Sequence, residues 1–444
     1  MRRIFPDHAY EDGRIDGCFW ADSVPGERLV RPTLTGEMRA DVAIIGAGFT
    51  GLSAALHLAQ AGVQVAVVEA RHPGWGASGR NGGFCCLGGS KLSDASIDRR
   101  FGRQARRDWR DAEKAAINLV ASLTQAHGID IDRHSNGETQ LAHKPSAAQW
   151  DGDIAFYEEN FGVTPEVIGK ADLAANGLGG SFHGGLATPL GFGLNPRKYL
   201  AGVLDAAEQA GAQVFGQSPV ADMARKGAAW RVTAGAGSVL CDQVIVATNG
   251  YSSEDVPDWM AGRYMPAQSS VIVTRELTRA ELEAQGWTSD QMAYDTRRLL
   301  HYFRLMPDRR FLFGMRGGLR SSPGTEAAIR RLIRRDFEAM FPAWAGVETP
   351  WFWSGMVCLA SDLAPYCGPV EGMPGVFAGF AYHGNGVAMG SFTGALLADL
   401  VQGKTPALYP EVMKKPPERF PLGRFRWLLK YPAYALYGLK DRIG

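Results

Sequence analysis

Gly46-Ala-Gly48-Phe-Thr-Gly51 lies directly after a short β-branched run, Asp41–Ile45, and directly before a stretch of helix formers, Leu52 to Ala61. In that setting each glycine has its own job. Gly46 permits a tight turn, Gly48 lets the backbone approach a pyrophosphate, and Gly51 lets helix and strand pack closely. The helix start, with Phe49 and Thr50, points free N–H groups and the helix dipole at phosphate oxygens. A second strand, Val63–Val68, closes on Glu69-Ala70-Arg71. The Glu69 carboxylate can accept hydrogen bonds from both hydroxyls of a ribose. Strand, glycines, helix, strand and acid fall in register within about thirty residues, as a dinucleotide fingerprint requires. By contrast, Gly235-Ala-Gly237 lacks the third glycine and sits between two strand-like runs, so it reads as a hairpin turn.

The fingerprint alone fits FAD or NAD. Directly downstream, Pro73-Gly-Trp-Gly76-Ala77-Ser78-Gly-Arg80-Asn81-Gly82-Gly83 sets seven small residues around one Arg and one Asn. Such a loop can bring backbone N–H groups and a guanidinium onto the far half of a pyrophosphate and onto a flavin ring. A nicotinamide-binding unit has no obvious use for it, which points to FAD; a merely mobile glycine loop is the bland alternative. The strand Cys241–Val246 then runs into Thr248-Asn249-Gly250, a small-residue turn where the chain can pass the cofactor again.

With these residues in view, the chain resembles the D-amino-acid oxidase-like (DAO) superfamily of FAD-dependent oxidoreductases, and within it the gamma-glutamylputrescine oxidase-like amine oxidases. Five stretches carry the likeness: Phe19-Trp-Ala-Asp22; Gly46–Gly51 with Glu69; the Gly74–Gly83 loop; Asn195-Pro196 with Pro219-Val220 and Val246–Gly250; and Asp362–Pro365 through Gly384–Val387. The resemblance implies an α/β (α+β overall) protein, in which a Rossmann-like FAD-binding domain interleaves with a substrate domain on an antiparallel sheet. The FAD domain is expected over 1–92, 191–262 and 354–444, with a basic-aromatic helix over 414–442. The substrate domain is expected over 93–190 and 263–353. The implied chemistry is oxidation of a C–N bond to an imine, which water hydrolyses, with O2 or a quinone reoxidising the flavin. Beyond the fingerprint and loop residues, Val220 is implied to meet the adenine side, and Gly384, Gly386 and Val387 to approach the flavin ring.

Several positions depart from the family pattern. His383-Gly-Asn385-Gly stands where relatives usually show Ser-Gly-His-Gly, so the polar group at the flavin edge differs. Gly355 holds the place of the cysteine that attaches flavin in some relatives, and Cys358 falls three residues late, so the FAD is expected to be non-covalent. Val357 holds the place of a carboxylate-binding Arg, and Arg310–Met315 offers no oxygen-activating Lys, which leaves oxidase and dehydrogenase both open. A neutral His383 imidazole could hold a substrate amine or accept its proton, or be a satisfied structural histidine. Leu299–Leu305 and Arg310–Arg316, separated by Pro307-Asp308, read as a hairpin. On its first strand His301, Phe303 and Leu305 share one face and Tyr302 and Arg304 the other. Tyr302 and Arg304 join His383 and Asn385 as catalytic candidates, with ordinary packing as the alternative.

The remainder bounds the function. A chain of 444 residues with 45% hydrophobic content is an ordinary globular protein, and a net charge of +1 supplies no field for nucleic acid. Six cysteines without a CxxC pair, and no apolar leader, suggest reduced thiols in the cytoplasm. Nine histidines show no ligand spacing, so no metal is expected. The arginines at 99, 100, 103, 106, 107 and 110, at near-helical spacing, read as a solvated face, with anion binding as the sharper alternative. The tail, with Phe425, Trp427, Tyr431 and Tyr437 among Arg424, Arg426 and Lys430, reads as a docked helix with its basic residues outward, or as a peripheral contact with the inner face of a membrane. Partners are otherwise small: an amine or amino acid such as a gamma-glutamyl amine, pipecolate or an N-methyl amino acid. Two further readings compete, an NAD(P)H-dependent flavin monooxygenase and a flavin-binding electron-transfer or assembly subunit.

Overall fold

A computed structural model describes residues 1–318 and 321–442. Strand Thr35–Ile45 is buried on both faces over its last four residues, where Val, Ala and Ile side chains pack helices on one side and a second core on the other. It is the central strand of an eight-stranded sheet, in parallel register with Ala236–Val246 and with Val65–Val68. Gln213–Phe215 and Val376–Phe380 extend the parallel run outward, and Tyr366–Pro369 adds an antiparallel edge. Continuous apolar runs such as Val244–Val246 are what a strand buried on both faces needs. The turn at Gly235 joins Ala229–Ala234 to Ala236–Val246 as the expected antiparallel hairpin.

The helix after the first glycine turn runs Phe49–Gln60, starting earlier than its apolar periodicity suggested because Gly48 ends the turn. It packs against Ala388–Val401 at backbone contact, for a Cβ on Gly394 would lie 2.4 Å from the Thr50 carbonyl. The second sheet, also of eight strands, runs in the order 351–359, 265–273, 311–316, 301–305, 292–295, 138–141, 184–188, 166–169. It is antiparallel except between Met292–Asp295 and Glu138–Leu141, which run parallel, so it is mixed rather than purely antiparallel. Its last strand in sequence, Trp351–Leu359, crosses the boundary expected near residue 353. Phe303, Phe311, Phe313, Phe337, Phe341 and Trp344 pack its outer face into an aromatic core.

Two surface expectations change. The arginine-rich stretch forms helices Asp94–Phe101 and Arg103–Ala126, yet Arg106 and Arg110 are buried rather than solvated. Arg106 bonds Asp98, Glu159 and Asn160, and Arg110 bonds Glu113 and Asp94, so packed carboxylates hold both guanidinia. In the tail, helix Lys430–Arg442 follows a 3-10 segment, Gly423–Leu429. Two of its basic residues turn inward while Arg424 and Lys440 stay exposed: Arg426 is fully buried, with Glu254 accepting from two of its nitrogens at 2.6 and 3.0 Å, and Lys430 lies 4.3 Å over the Phe5 ring. Phe425, Leu428, Leu436 and Leu439 face outward instead. No helix among the described residues is long and apolar enough to cross a membrane. Arg426→Ala strands the Glu254 carboxylate and the Tyr264 carbonyl. Guanidinium denaturation should show a loss of about 3–5 kcal/mol.

Candidate active site

A cavity of about 400 Å³ opens over the C-terminal ends of strands Thr35–Ile45 and Val65–Val68 and continues to the second sheet. Its first half is built by the fingerprint. A Cβ on Gly51 would fall 1.9 Å from the Gly46 carbonyl, so only glycine permits this turn. Gly46, Gly48, Phe49 and Thr50 line the cavity, while Gly51 sits behind the turn as packing. Glu69 also lines it, but its carboxylate already accepts the Ala47 N–H at 2.8 Å and the Arg71 N–H at 2.9 Å. Burial raises its pKa, and these backbone donors oppose that shift. The acid therefore holds the turn in shape, and lone pairs remain for a ribose. Ala70, Arg71 and Val220 complete this end.

Gly76, Ala77, Ser78, Arg80, Asn81 and Gly82 line the middle. Ser78 Oγ accepts from the Phe49 N–H at 2.9 Å, tying the loop to the helix start. Asn81 bonds Ala77, Ser78 and Gly83, so its amide closes the loop on itself. The Arg80 guanidinium, expected at the pyrophosphate, is largely engaged by protein. It donates to Tyr251 Oη at 2.8 Å and to the Arg14 and Ser354 carbonyls at 3.2 and 3.3 Å, and lies 4.4 Å over Trp75. Gly83 does not line the cavity; a Cβ there would meet the Leu194 carbonyl at 2.1 Å. Thr248 and Asn249 line it and Gly250 does not. Asn249 adopts φ 47°, and its Oδ1 accepts the Ala381 N–H, pinning this turn to the strand that leads to His383.

His383, Gly384, Asn385, Gly386 and Val387 all face the cavity. His383 sits at φ 50°, a conformation L residues rarely adopt, and both its ring nitrogens are in use. Nε2 accepts the Ala360 N–H at 3.2 Å, so Nδ1 carries the proton and donates to the Gly89 carbonyl at 2.9 Å. Burial brings its pKa down to about 4. The imidazole is neutral and has no lone pair left to take a substrate proton, so the structure makes it a pin for the loop. Asn385 Nδ2 donates to the Leu87 carbonyl at 2.8 Å, while its Oδ1 is buried with no protein partner. Tyr302 reaches the cavity and Arg304 does not. Arg304, fully buried, donates to the Gly83 and Leu194 carbonyls at 2.9 and 2.8 Å, so alternation along the strand put Tyr302 and Arg304 on one face but not in one site.

Several lining residues escaped sequence reasoning. Arg3 and Tyr10 wall the first half, where the Tyr10 carbonyl accepts from Arg71 at 2.8 Å. The Tyr10 hydroxyl and Arg3 Nε are buried without a protein partner. In the second half stand Cys86, Lys91, Glu138, Tyr294 and Arg316. Arg316 had a signal: Tyr302 is in register with Gly314, so Tyr302, Gly314 and Arg316 share a face of the hairpin.

Residues 41–400 match the family described as FAD dependent oxidoreductase (DAO). The chain belongs to that family. Among curated relatives it is 31% identical over 431 residues to "Probable oxidoreductase OrdL" of Rhizobium meliloti, covering 96% of this chain and 98% of that one. It is 29% identical over 416 residues to the gamma-glutamylputrescine oxidoreductase of Escherichia coli, covering 93% and 95%. A solved glycine oxidase from Geobacillus kaustophilus superposes with TM-score 0.70 at 21% identity, covering 85% of this chain and 98% of that one, which speaks for the fold alone. The protein is thus an FAD-dependent oxidoreductase. The cavity fits the cofactor: glycines a Cβ would block line the phosphate turn, and unpartnered polar atoms stand at both ends. The Cys358 thiol, pushed by burial up to about 12, is a poor nucleophile for a flavin link. Glu69→Ala removes the acceptor that shapes the turn. Release of flavin fluorescence on dilution should show FAD affinity weakened about 10–100-fold.

Proposed function

We propose that the protein oxidises a C–N bond of a small amine or N-substituted amino acid to an imine, which water hydrolyses to a carbonyl compound and an amine. The observation that carries this reading is the continuity of the cavity from the phosphate turn, past the 383–387 loop, to a polar half walled by the second sheet. FAD, when bound, supplies the acceptor for the hydride that leaves the carbon next to nitrogen.

The chain's own residues bind and orient. Ser269 Oγ donates to the Met315 carbonyl at 3.1 Å, so the Tyr302 hydroxyl, 3.0 Å away, must donate to Ser269. That leaves the Tyr302 oxygen as an acceptor facing the cavity, suited to an amine N–H. Burial raises the Tyr302 pKa, which keeps the phenol neutral. A Cβ on Gly82 would lie 2.6 Å from the Tyr302 ring, so the glycine loop and the tyrosine are fitted to each other. Asn385 Oδ1 offers a second acceptor. Since His383 has no lone pair free, the amine must arrive or become neutral by other means.

Mixing the purified protein without oxygen with gamma-glutamylputrescine, pipecolate, N-methyl amino acids and simple amines tests the reading. Bleaching of the visible flavin band by one of them, followed by recovery in air or with a quinone, is expected and identifies the acceptor. Bleaching by NADH or NADPH alone would replace this reading with a monooxygenase. The pH profile follows from two groups. His383, at about 4, is neutral throughout the working range, whereas Glu138, pushed by burial up to about 7, ionises as pH rises through neutrality. The reduction rate should rise with a step near pH 7 that disappears in Glu138→Gln and persists in His383→Asn.

A further inference from the structure

Among the described residues eleven large apolar or aromatic side chains stand exposed, and seven of them fall between Leu422 and Leu439. Single chains scatter such groups one at a time over their surface, so a contiguous row marks a contact. The row has a regular build. In the 3-10 segment Gly423–Leu429 a turn takes three residues, so Phe425 and Leu428 lie one above the other, with Leu422 before them and Tyr431 after them at the same spacing. In the helix Lys430–Arg442, Leu436 and Leu439 share a face, with Tyr437 exposed beside them. The opposite side of the same elements is fastened down. Arg426 bonds Glu254 and the Tyr264 carbonyl, and Lys430 donates to the Pro266 carbonyl at 3.2 Å. Asp441 accepts the Arg298 and Leu299 N–H groups at 2.9 and 3.2 Å. Leu300, next in the chain, lines the cavity, and Tyr434 lies within charge range of Arg316, which also lines it. The tail is thus a fixed ridge beside the second half of the cavity.

From Arg419 to Lys440 the sequence carries no Asp or Glu. Arg419, Arg424 and Lys440 are exposed, and Arg424 lies 4.7 Å over the Phe425 ring, so cation and apolar row share one surface. Arg298, whose N–H Asp441 holds, is exposed as well. A second copy of the chain is a poor occupant. Two-fold pairing sets the patch against itself, and its cations then face one another with no carboxylate in the stretch to separate them. An anionic bilayer supplies both halves of the match. Its acyl boundary takes leucine side chains and aromatic rings, and its lipid phosphates take guanidinium and ammonium groups. We propose that residues 422–440 dock the protein on an anionic membrane surface, with Phe425, Leu428, Leu436 and Leu439 entering the headgroup layer. The docked ridge then holds the second half of the cavity beside the lipid. The inference is independent of the C–N-oxidising reading above.

The experiment is flotation of the FAD-loaded full chain with vesicles of phosphatidylcholine alone and of phosphatidylcholine mixed with phosphatidylglycerol. Binding to the mixed vesicles should be tighter by about tenfold or more, and should weaken as salt rises. Phe425→Ser combined with Leu428→Ser should weaken it by about tenfold. Arg424→Glu combined with Lys440→Glu should bring it down to the level seen with phosphatidylcholine alone. Both variants should keep FAD and the thermal unfolding midpoint of the unmodified protein, since every altered side chain is exposed. Hydrogen exchange of the unmodified protein should slow at 422–440 when mixed vesicles are added, a readout that depends on no variant folding. Absence of flotation with either vesicle, equal flotation with both, or unchanged exchange at 422–440 overturns the inference. So does a concentration-dependent dimer that the doubly substituted Phe425→Ser, Leu428→Ser protein no longer forms, which assigns the row to a second copy.

Discussion

A single guanidinium, that of Arg304, stands where the two sheets meet. It comes from the second sheet and donates to the carbonyls of Gly83, at the end of the cofactor loop, and Leu194, just before the helix Pro196–Gln209. Trp20 and Phe84 lie 5.7 and 5.6 Å from it, enclosing it in aromatic faces. Desolvation lowers its pKa to about 9, which still leaves it charged at neutral pH, and those carbonyls accept its hydrogen bonds. The loop that shapes the first half of the cavity and the hairpin that floors the second are thereby held at one spacing. Tyr302, two residues away on the same strand, inherits its position from this clamp.

Polar groups within the site divide by how much of their bonding the protein already uses. His383, Arg80, Asn81 and Glu69 spend most or all of theirs on backbone, and they keep loops in conformations glycine alone would leave loose. Tyr302, Asn385, Lys91, Glu138 and Arg316 retain bonding capacity, and they face one compartment. Rigid wall and unsatisfied lining are the two halves of a preorganised site, since capacity kept open costs least when neighbours cannot collapse onto it.

The glycine fingerprint, the second strand with its acid and the Arg304 hairpin were legible because their geometry is local: spacing along one strand or turn decides it. The same local view misjudged Arg106, whose partners Glu159 and Asn160 arrive on a later helix, and the tail, whose Arg426 is claimed by Glu254 far back in the chain. It also missed Lys91 and Glu138, which reach the cavity only once the second sheet closes over the loop. Arg316 could have been found by extending strand alternation across the hairpin. His383 lines the cavity, but sequence has no means of counting the backbone groups that occupy its two nitrogens.

Trp75 lines the cavity and is itself 5% exposed, with the Arg80 guanidinium against its face. Indole emission overlaps the near-ultraviolet absorption of an isoalloxazine, and energy transfer between such rings is efficient at the span of one binding site. This indole is therefore a built-in optical gauge of occupancy. Its light is dimmed when the cofactor is seated and restored when it leaves, without any label being attached.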